Sequence, residues 1–190
     1  MRRIIPFLIA LCLTGLSTGL ILPYLNARLA GWLHRYFRFK GFRTQLAPTS
    51  GSMGYGFPAA ISAALAHPDR AVVCLAGDGC FQMTLNEMST AAQHGAAPIV
   101  IVVNNGRYGT IRMHQEREHP GRVSGTDLRN PDFGKLAEGY GAAHARVTET
   151  AEFRPALEAA FAHDGPTVIE LVTDPEMIST RTTVTKLRAG

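Results

Sequence analysis

The chain has 190 residues, 46% hydrophobic and 18% charged, with a formal net charge of +4. That length suits one α/β domain with a sizeable core and a short extension, and the composition is not that of a disordered chain. The positive balance would suit an anionic surface, but no recognition helix, zinc spacing or aromatic-interleaved RNA motif accompanies it, so nucleic acid is not an expected partner.

The first element is an apolar leader. Residues 4–25 carry no charge and run for 22 residues as IIPFLIALCLTGLSTGLILPYL. A bilayer-spanning helix needs roughly 20 residues, so this stretch is a candidate membrane tether. Arg2 and Arg3 precede it, while Arg28, Arg35, Arg38, Lys40 and Arg43 follow, which by the positive-inside rule puts the downstream domain in the cytoplasm. Pro6, Gly15, Gly19 and Pro23 weaken the helix reading. An altered start fused to a real domain explains the run equally well. The expected organisation is an apolar, helical leader over residues 1–30 and one domain over 31–190. Of the three cysteines, Cys12 and Cys74 sit in apolar runs. With Cys80 they form no C-x-x-C pair, which makes a reducing compartment the default.

Past a basic, aromatic lead-in, strands and helices alternate. Residues 71–76 (AVVCLA), 98–103 (PIVIVV) and 167–172 (TVIELV) are short continuous apolar runs, the pattern of strands buried on both faces. Helical stretches are predicted at 56–66, 84–93 and 150–162, the last closed by Gly165-Pro166. This alternation predicts βαβ units and a doubly wound, mostly parallel sheet with helices on both faces. Ligands in such sheets bind beyond the carboxyl ends of the strands.

Two strand ends carry unusual residues there. The first runs into Gly77-Asp78-Gly79-Cys80, where glycines admit a ligand close to the backbone and a helix start offers N–H groups to an anion. An aspartate would repel a phosphate unless a cation lay between them, so Asp78 implies a divalent metal, and oxygen donors favour Mg²⁺. Asp-Gly is also an ordinary turn, and the tripeptide alone does not decide the matter. The second strand ends in Asn104-Asn105-Gly106, after 24 residues intervening from Gly79. A crossover of that length returns the chain to the same edge, where an asparagine carbonyl and the Asp78 carboxylate would face one ion. A simple turn explains Asn-Asn-Gly by itself but not the joint spacing.

GDG followed by NN at this spacing resembles the thiamine diphosphate fingerprint of the acetolactate synthase and pyruvate decarboxylase superfamily. QLAPTSGSMGYGFPAAISAAL and NNGRYGTIRMHQER resemble acetolactate-synthase-like large subunits most. The likeness covers roughly residues 32–175, the region of the family's C-terminal pyrophosphate-binding domain. It implies thiamine diphosphate and Mg²⁺ as cofactors. Asp78 and Asn105 would ligate the metal through side chains and Arg107 through its backbone carbonyl. Gly77 belongs to the same turn, and the N–H groups of Gly79 and Cys80 would hold the diphosphate. Upstream, Gly51-Ser52-Met53 matches the segment that shapes the thiazolium pocket. Met53 would prop the cofactor in a bent form, and the Gly51 carbonyl would accept from the pyrimidine's 4′-amino group. Bending sets that group beside the carbon whose proton it removes. Tyr108 and Gly109 fall in the stretch that closes over the cofactor in relatives. On residue pattern alone, Met53 is a core or turn residue.

The same likeness implies that the activating glutamate lies outside this chain, on a pyrimidine-binding domain of a partner chain or a second copy. The expected substrate is a 2-oxo acid such as pyruvate, condensed or simply decarboxylated. A split enzyme with a partner subunit, a non-catalytic remnant and a membrane-tethered binding module are the three readings. Glu87 is expected to support its helix and His94 to suit a helix C-terminus. Within the loop-side stretch, His114, Gln115 and Glu116 are candidates for substrate contact. His119, Arg122 and Arg129 are expected to be solvated.

Overall fold

The computed structural model describes residues 8–11, 44–48, 50–177 and 182–189. Its strands are β1 (Leu8–Leu11), β2 (Gln45–Leu46), β3 (Val72–Gly77), β4 (Ile99–Asn104), β5 (Ala143–Val147) and β6 (Thr167–Val172). They form one sheet in the order β2-β1-β3-β4-β6-β5, and every neighbouring pair is parallel. The helices are α1 (Gly56–Ala66), α2 (Asp78–Gln82), α3 (Met88–His94), α4 (Gly109–Glu118), α5 (Phe133–Gly139), α6 (Thr150–Ala162) and α7 (Val184–Ala189).

Strands β3, β4 and β6 are mostly apolar, Asn104, Thr167 and Glu170 being the polar exceptions, because helices cover both of their faces. Successive side chains of a strand point to opposite faces. On β3, Val72, Cys74 and Ala76 enter a cluster with Phe57 and Ile61 of α1, Phe81 of α2, Met88 of α3 and Phe133 of α5. Val73 and Leu75 enter the other, against Phe153, Leu157 and Ala160 of α6. Each fully buried Val, Ile or Leu is worth about 1.5–3 kcal/mol, so the two clusters hold the helices to both faces. The parallel, doubly covered sheet is the architecture the apolar runs predict.

The predicted strands at 71–76 and 98–103 each move one residue toward the carboxyl end, which places Gly77 and Asn104 inside the sheet. The helix expected over 84–93 divides into a tight 3₁₀ turn at Leu85–Glu87 and α3. Of the apolar leader, Leu8–Leu11 are described, and they form a strand between β2 and β3. The rest of residues 1–30, Cys12 included, and the basic residues of 31–43 lie outside the described residues. Among the described residues, no helix is long and apolar enough to cross a membrane.

Candidate functional site

β3 delivers its last residue, Gly77, in an extended conformation (φ −70°, ψ 156°), and the chain turns at once into α2 with Asp78 as the first helical residue. Asp78 is 2% exposed. Its Oδ1 accepts from the Gly79 N–H at 2.9 Å. Its Oδ2 accepts from the Gly106 N–H at 2.9 Å and from Asn130 Nδ2 at 2.7 Å. Burial pushes the Asp78 carboxyl above the usual aspartate range, and the donors from Asn130, Gly79 and Gly106 pull the other way. Among the described residues no ion pair neutralises it. A buried carboxylate that lacks a cation is costly, so this strand end calls for positive charge.

β4 brings the second strand end to it. Gly106 turns with φ +66°, a conformation side chains rarely adopt, and this aims its N–H back at Asp78. The two asparagines before it have different duties. Asn104 is fully engaged: its Nδ2 donates to Glu170 at 2.6 Å, and its Oδ1 accepts from Asn130 at 2.7 Å and Gly106 at 3.2 Å. Asn105 is 6% exposed, and its Oδ1 takes only a long 3.3 Å bond from the Arg107 N–H. Its Nδ2 is buried without a partner. A half-turn of that amide, which exchanges two nearly indistinguishable ends, presents the oxygen there instead. Asn105 is therefore the amide with capacity to spare.

Glycine at position 79 is required by crowding. A Cβ there would lie 2.3 Å from Cε1 of Tyr108, whose ring rests on the turn, and 3.1 Å from Leu128. The Tyr108 N–H donates to the Thr126 carbonyl and the Leu128 N–H to the Gly106 carbonyl, both at 2.8 Å. Residues 126–130 thus form a third wall alongside the turn that follows β4. Asn130 ends that wall, and Gln82 of α2 donates to its Oδ1 at 2.6 Å.

The remaining expected residues fall in three groups. Gly51 and Ser52 are exposed in the loop before α1, while Met53 is half-buried against the core. Thr84 donates to the Gly54 carbonyl at 3.0 Å and ties that loop to the α2–α3 segment. Cys80 is buried in the first turn of α2, and Gly109 opens α4. Arg107 lies beside Asp127, at 3.8 Å.

Glu116 departs from its expected place at the substrate. It is wholly buried, with Oε1 accepting from Arg112 and Arg188 and Oε2 accepting from Arg188 and the Gly121 N–H. Those donors, Arg188 foremost, hold its carboxyl down to about 2. Gln115 clamps both backbone groups of Ser124, and His114 contacts Arg117 on the exposed side of α4. Glu87 accepts from Thr90 within its own helical turn, and His94 ends α3 in solvent. His119, Arg122 and Arg129 are exposed, as expected.

Asn130 and Gln82 carry no local signature, and sequence reading passes over both. Their only cue is Asn130-Pro131-Asp132, a turn-forming cluster ahead of a helix. Among the described residues no three His, Cys, Asp or Glu side chains gather to hold a metal. The donors at the two strand ends are all oxygen, with one carboxylate among them.

Residues 27–171 match the family model described as the C-terminal TPP-binding domain of thiamine pyrophosphate enzymes. The chain is 39% identical over 147 residues to the mitochondrial acetolactate synthase catalytic subunit of Aspergillus candidus. It is 40% identical over 148 residues to the acetolactate synthase large subunit of Corynebacterium glutamicum. These alignments cover 77% and 74% of this chain but 21% and 24% of those proteins, so the chain spans only part of the length of its curated relatives. Among solved structures, the thiamine diphosphate-dependent 4-hydroxybenzoylformate decarboxylase of Rhodococcus jostii RHA1 superposes with a TM-score of 0.66 at 38% identity, over 70% of this chain and 25% of that one. The benzoylformate decarboxylase of Polynucleobacter necessarius gives 0.76 at 26% identity, over 92% and 31%.

Proposed function

Since the chain belongs to the thiamine pyrophosphate enzymes through their C-terminal cofactor-binding domain, we propose that it holds thiamine diphosphate through Mg²⁺ at the ends of β3 and β4, as part of an acetolactate-synthase-like enzyme acting on 2-oxo acids. The observation that carries this reading is the 2.9 Å bond from the Gly106 N–H to Asp78 Oδ2, which joins the two halves of the motif at one point. The residues present fit the ion. Among the described residues Asp78 is a buried carboxylate with no ion pair, and with the Asn105 amide oxygen and the Arg107 carbonyl it makes a set of hard oxygen donors. A single carboxylate suits Mg²⁺, which completes its shell with phosphate oxygens and water.

Asp78 and Asn105 would bind the metal through their side chains and Arg107 through its carbonyl. In the first turn of α2, the Cys80 N–H would meet the diphosphate. The Gly79 N–H, now donating to Asp78 Oδ1, would exchange that bond for a phosphate oxygen. The Gly51 carbonyl would orient the pyrimidine's amino group, and Met53, half-buried beside it, would hold the ring in its bent pose. When bound, thiamine diphosphate supplies a carbon nucleophile and an electron sink for loss of CO₂. The glutamate that activates the pyrimidine would come from a pyrimidine-binding domain on a partner chain or a second copy.

Calorimetric titration with thiamine diphosphate and Mg²⁺ tests the assignment. Wild type should bind, and Asp78→Ala should give no Mg²⁺-dependent heat while its circular dichroism stays native. Equal affinity in the two chains would sink the metal site. Pyruvate condensation is the first reaction to assay, by the acetolactate synthase relatives. The likeness to a decarboxylase at 38% identity favours simple decarboxylation as a second reading, and a product assay for free aldehyde against acetolactate separates them.

A further inference from the structure

Asn130 lies 52 positions from Asp78 in sequence, yet its amide is the point where both strand ends are tied together. Its two Nδ2 hydrogens go to two acceptors, Asp78 Oδ2 and Asn104 Oδ1, each at 2.7 Å. Its own carbonyl accepts from Gln82 at 2.6 Å, and this sets which way the amide faces. Every side-chain hydrogen-bonding direction that matters at Asn130 is therefore used, and the chain takes trouble to place it. Pro131 restricts the backbone of Asn130 to extended conformations. Asp132 caps α5 by accepting from the Lys135 N–H. Phe133, 1% exposed, anchors the start of α5 against Phe81 of α2, with ring centroids 5.9 Å apart. The segment that carries Asn130 is thus fastened to the helix that begins with Asp78.

We infer that Asn130 is a positioning residue for the metal carboxylate. This inference rests on the thiamine diphosphate–Mg²⁺ reading above and goes further by assigning which oxygen does what. A carboxylate offers about four lone-pair directions. Oδ2 of Asp78 already takes two N–H donors, from Gly106 and Asn130, whereas Oδ1 takes one, from the adjacent Gly79. Oδ2 is the oxygen that fixes the carboxylate, and Oδ1 is the one left with room for a cation. Without the Asn130 amide, only the Gly106 N–H would hold Oδ2, and the carboxylate would be free to rotate about its Cβ–Cγ bond. Asn104 would lose its tether to the same point and keep only Glu170 and Gly106.

The test uses Mn²⁺ as a spectroscopic substitute for Mg²⁺, titrated into the full chain at fixed thiamine diphosphate, with free and bound ion read by electron paramagnetic resonance. Asn130→Ala should weaken Mn²⁺ binding by about 10- to 100-fold, the range seen when a group that orients a metal ligand is removed. The ligand-free melting temperature should move little, because Phe133 and the Leu128–Gly106 bond still hold the segment. Binding within twofold of wild type would overturn the inference while leaving the metal site standing. No Mn²⁺ uptake by wild type would overturn the cofactor reading and this inference with it. If Asn130→Ala does not fold, Gln82→Leu leaves Asn130 in place and releases only its carbonyl. A smaller loss of Mn²⁺ affinity then supports the role, and an unchanged affinity refutes it.

Discussion

A methyl group on Gly79 would have to push aside the Tyr108 ring, whose Cε1 lies 2.3 Å from where it would sit. Overpacking of this kind costs about 1–3 kcal/mol, so Gly79→Ala should lower the urea midpoint by a corresponding amount. Most of that cost should vanish in a Tyr108→Ala background, with Leu128 as the remaining mild contact. An equal cost in both backgrounds would mean that the ring is not the obstacle. Asp78 makes a different statement at the same scale. Its carboxyl is raised in the folded state, so its charged form costs stability. That cost sets in as pH rises through the ordinary value of 3.8 and is complete once pH passes the raised one. A cation at Asp78 removes it. Mg²⁺ with thiamine diphosphate should therefore raise the melting temperature at neutral pH, and Asp78→Asn should melt at the same temperature with or without them.

At the scale of elements, α5 is short, and Phe133 is the large side chain that it buries in the core, beside Ala137. Phe133→Ala should cost about 3–5 kcal/mol by denaturant unfolding, as large-to-small core changes do. If the cost were below 1 kcal/mol, the Phe81–Phe133 contact would not be what anchors Asn130. How legible each element is in the sequence follows from its surroundings. β3, β4 and β6 are central, covered on both faces, and read directly as AVVCLA, PIVIVV and TVIELV. β5 lies at the sheet edge, and its AHARV sets His144 and Arg146 toward Glu170, so no apolar run announces it. β1 lies inside the longest apolar stretch of the chain, and a short apolar run does not by itself tell a parallel strand from a helical segment. The motif residues at the two strand ends are legible because their partners lie one crossover apart. Asn130 is not, because its value depends on a loop and a helix packing 48 residues from Gln82.

Across the whole molecule, Glu116 joins α4 to α7, 72 positions on, through Arg188, and Val184 and Leu187 pack with Met113 beneath that pair. Its carboxyl falls from 4.5 to about 2 on folding, with Arg188 as the leading cause. A depressed carboxyl contributes stability that is fully present above its unfolded value and is lost as pH falls through the folded one. Glu116→Gln should thus melt lower than wild type at neutral pH, by roughly 1–3 kcal/mol for a buried bond partner removed. The gap should close between pH 4.5 and about 2, and melting curves that stay parallel down to pH 2 would count against the clamp. The strand order has a consequence in time. β6 lies between β4 and β5, pairing Glu170 with Val102 on one side and Arg146 on the other. Until β6 has been synthesised, β4 keeps an unpaired apolar edge that no local hairpin can cover, since parallel neighbours are joined only by crossovers. The nascent chain therefore carries an open, aggregation-prone strand edge leading to the end that bears Asn104, and closes it only when β6 slides into the middle.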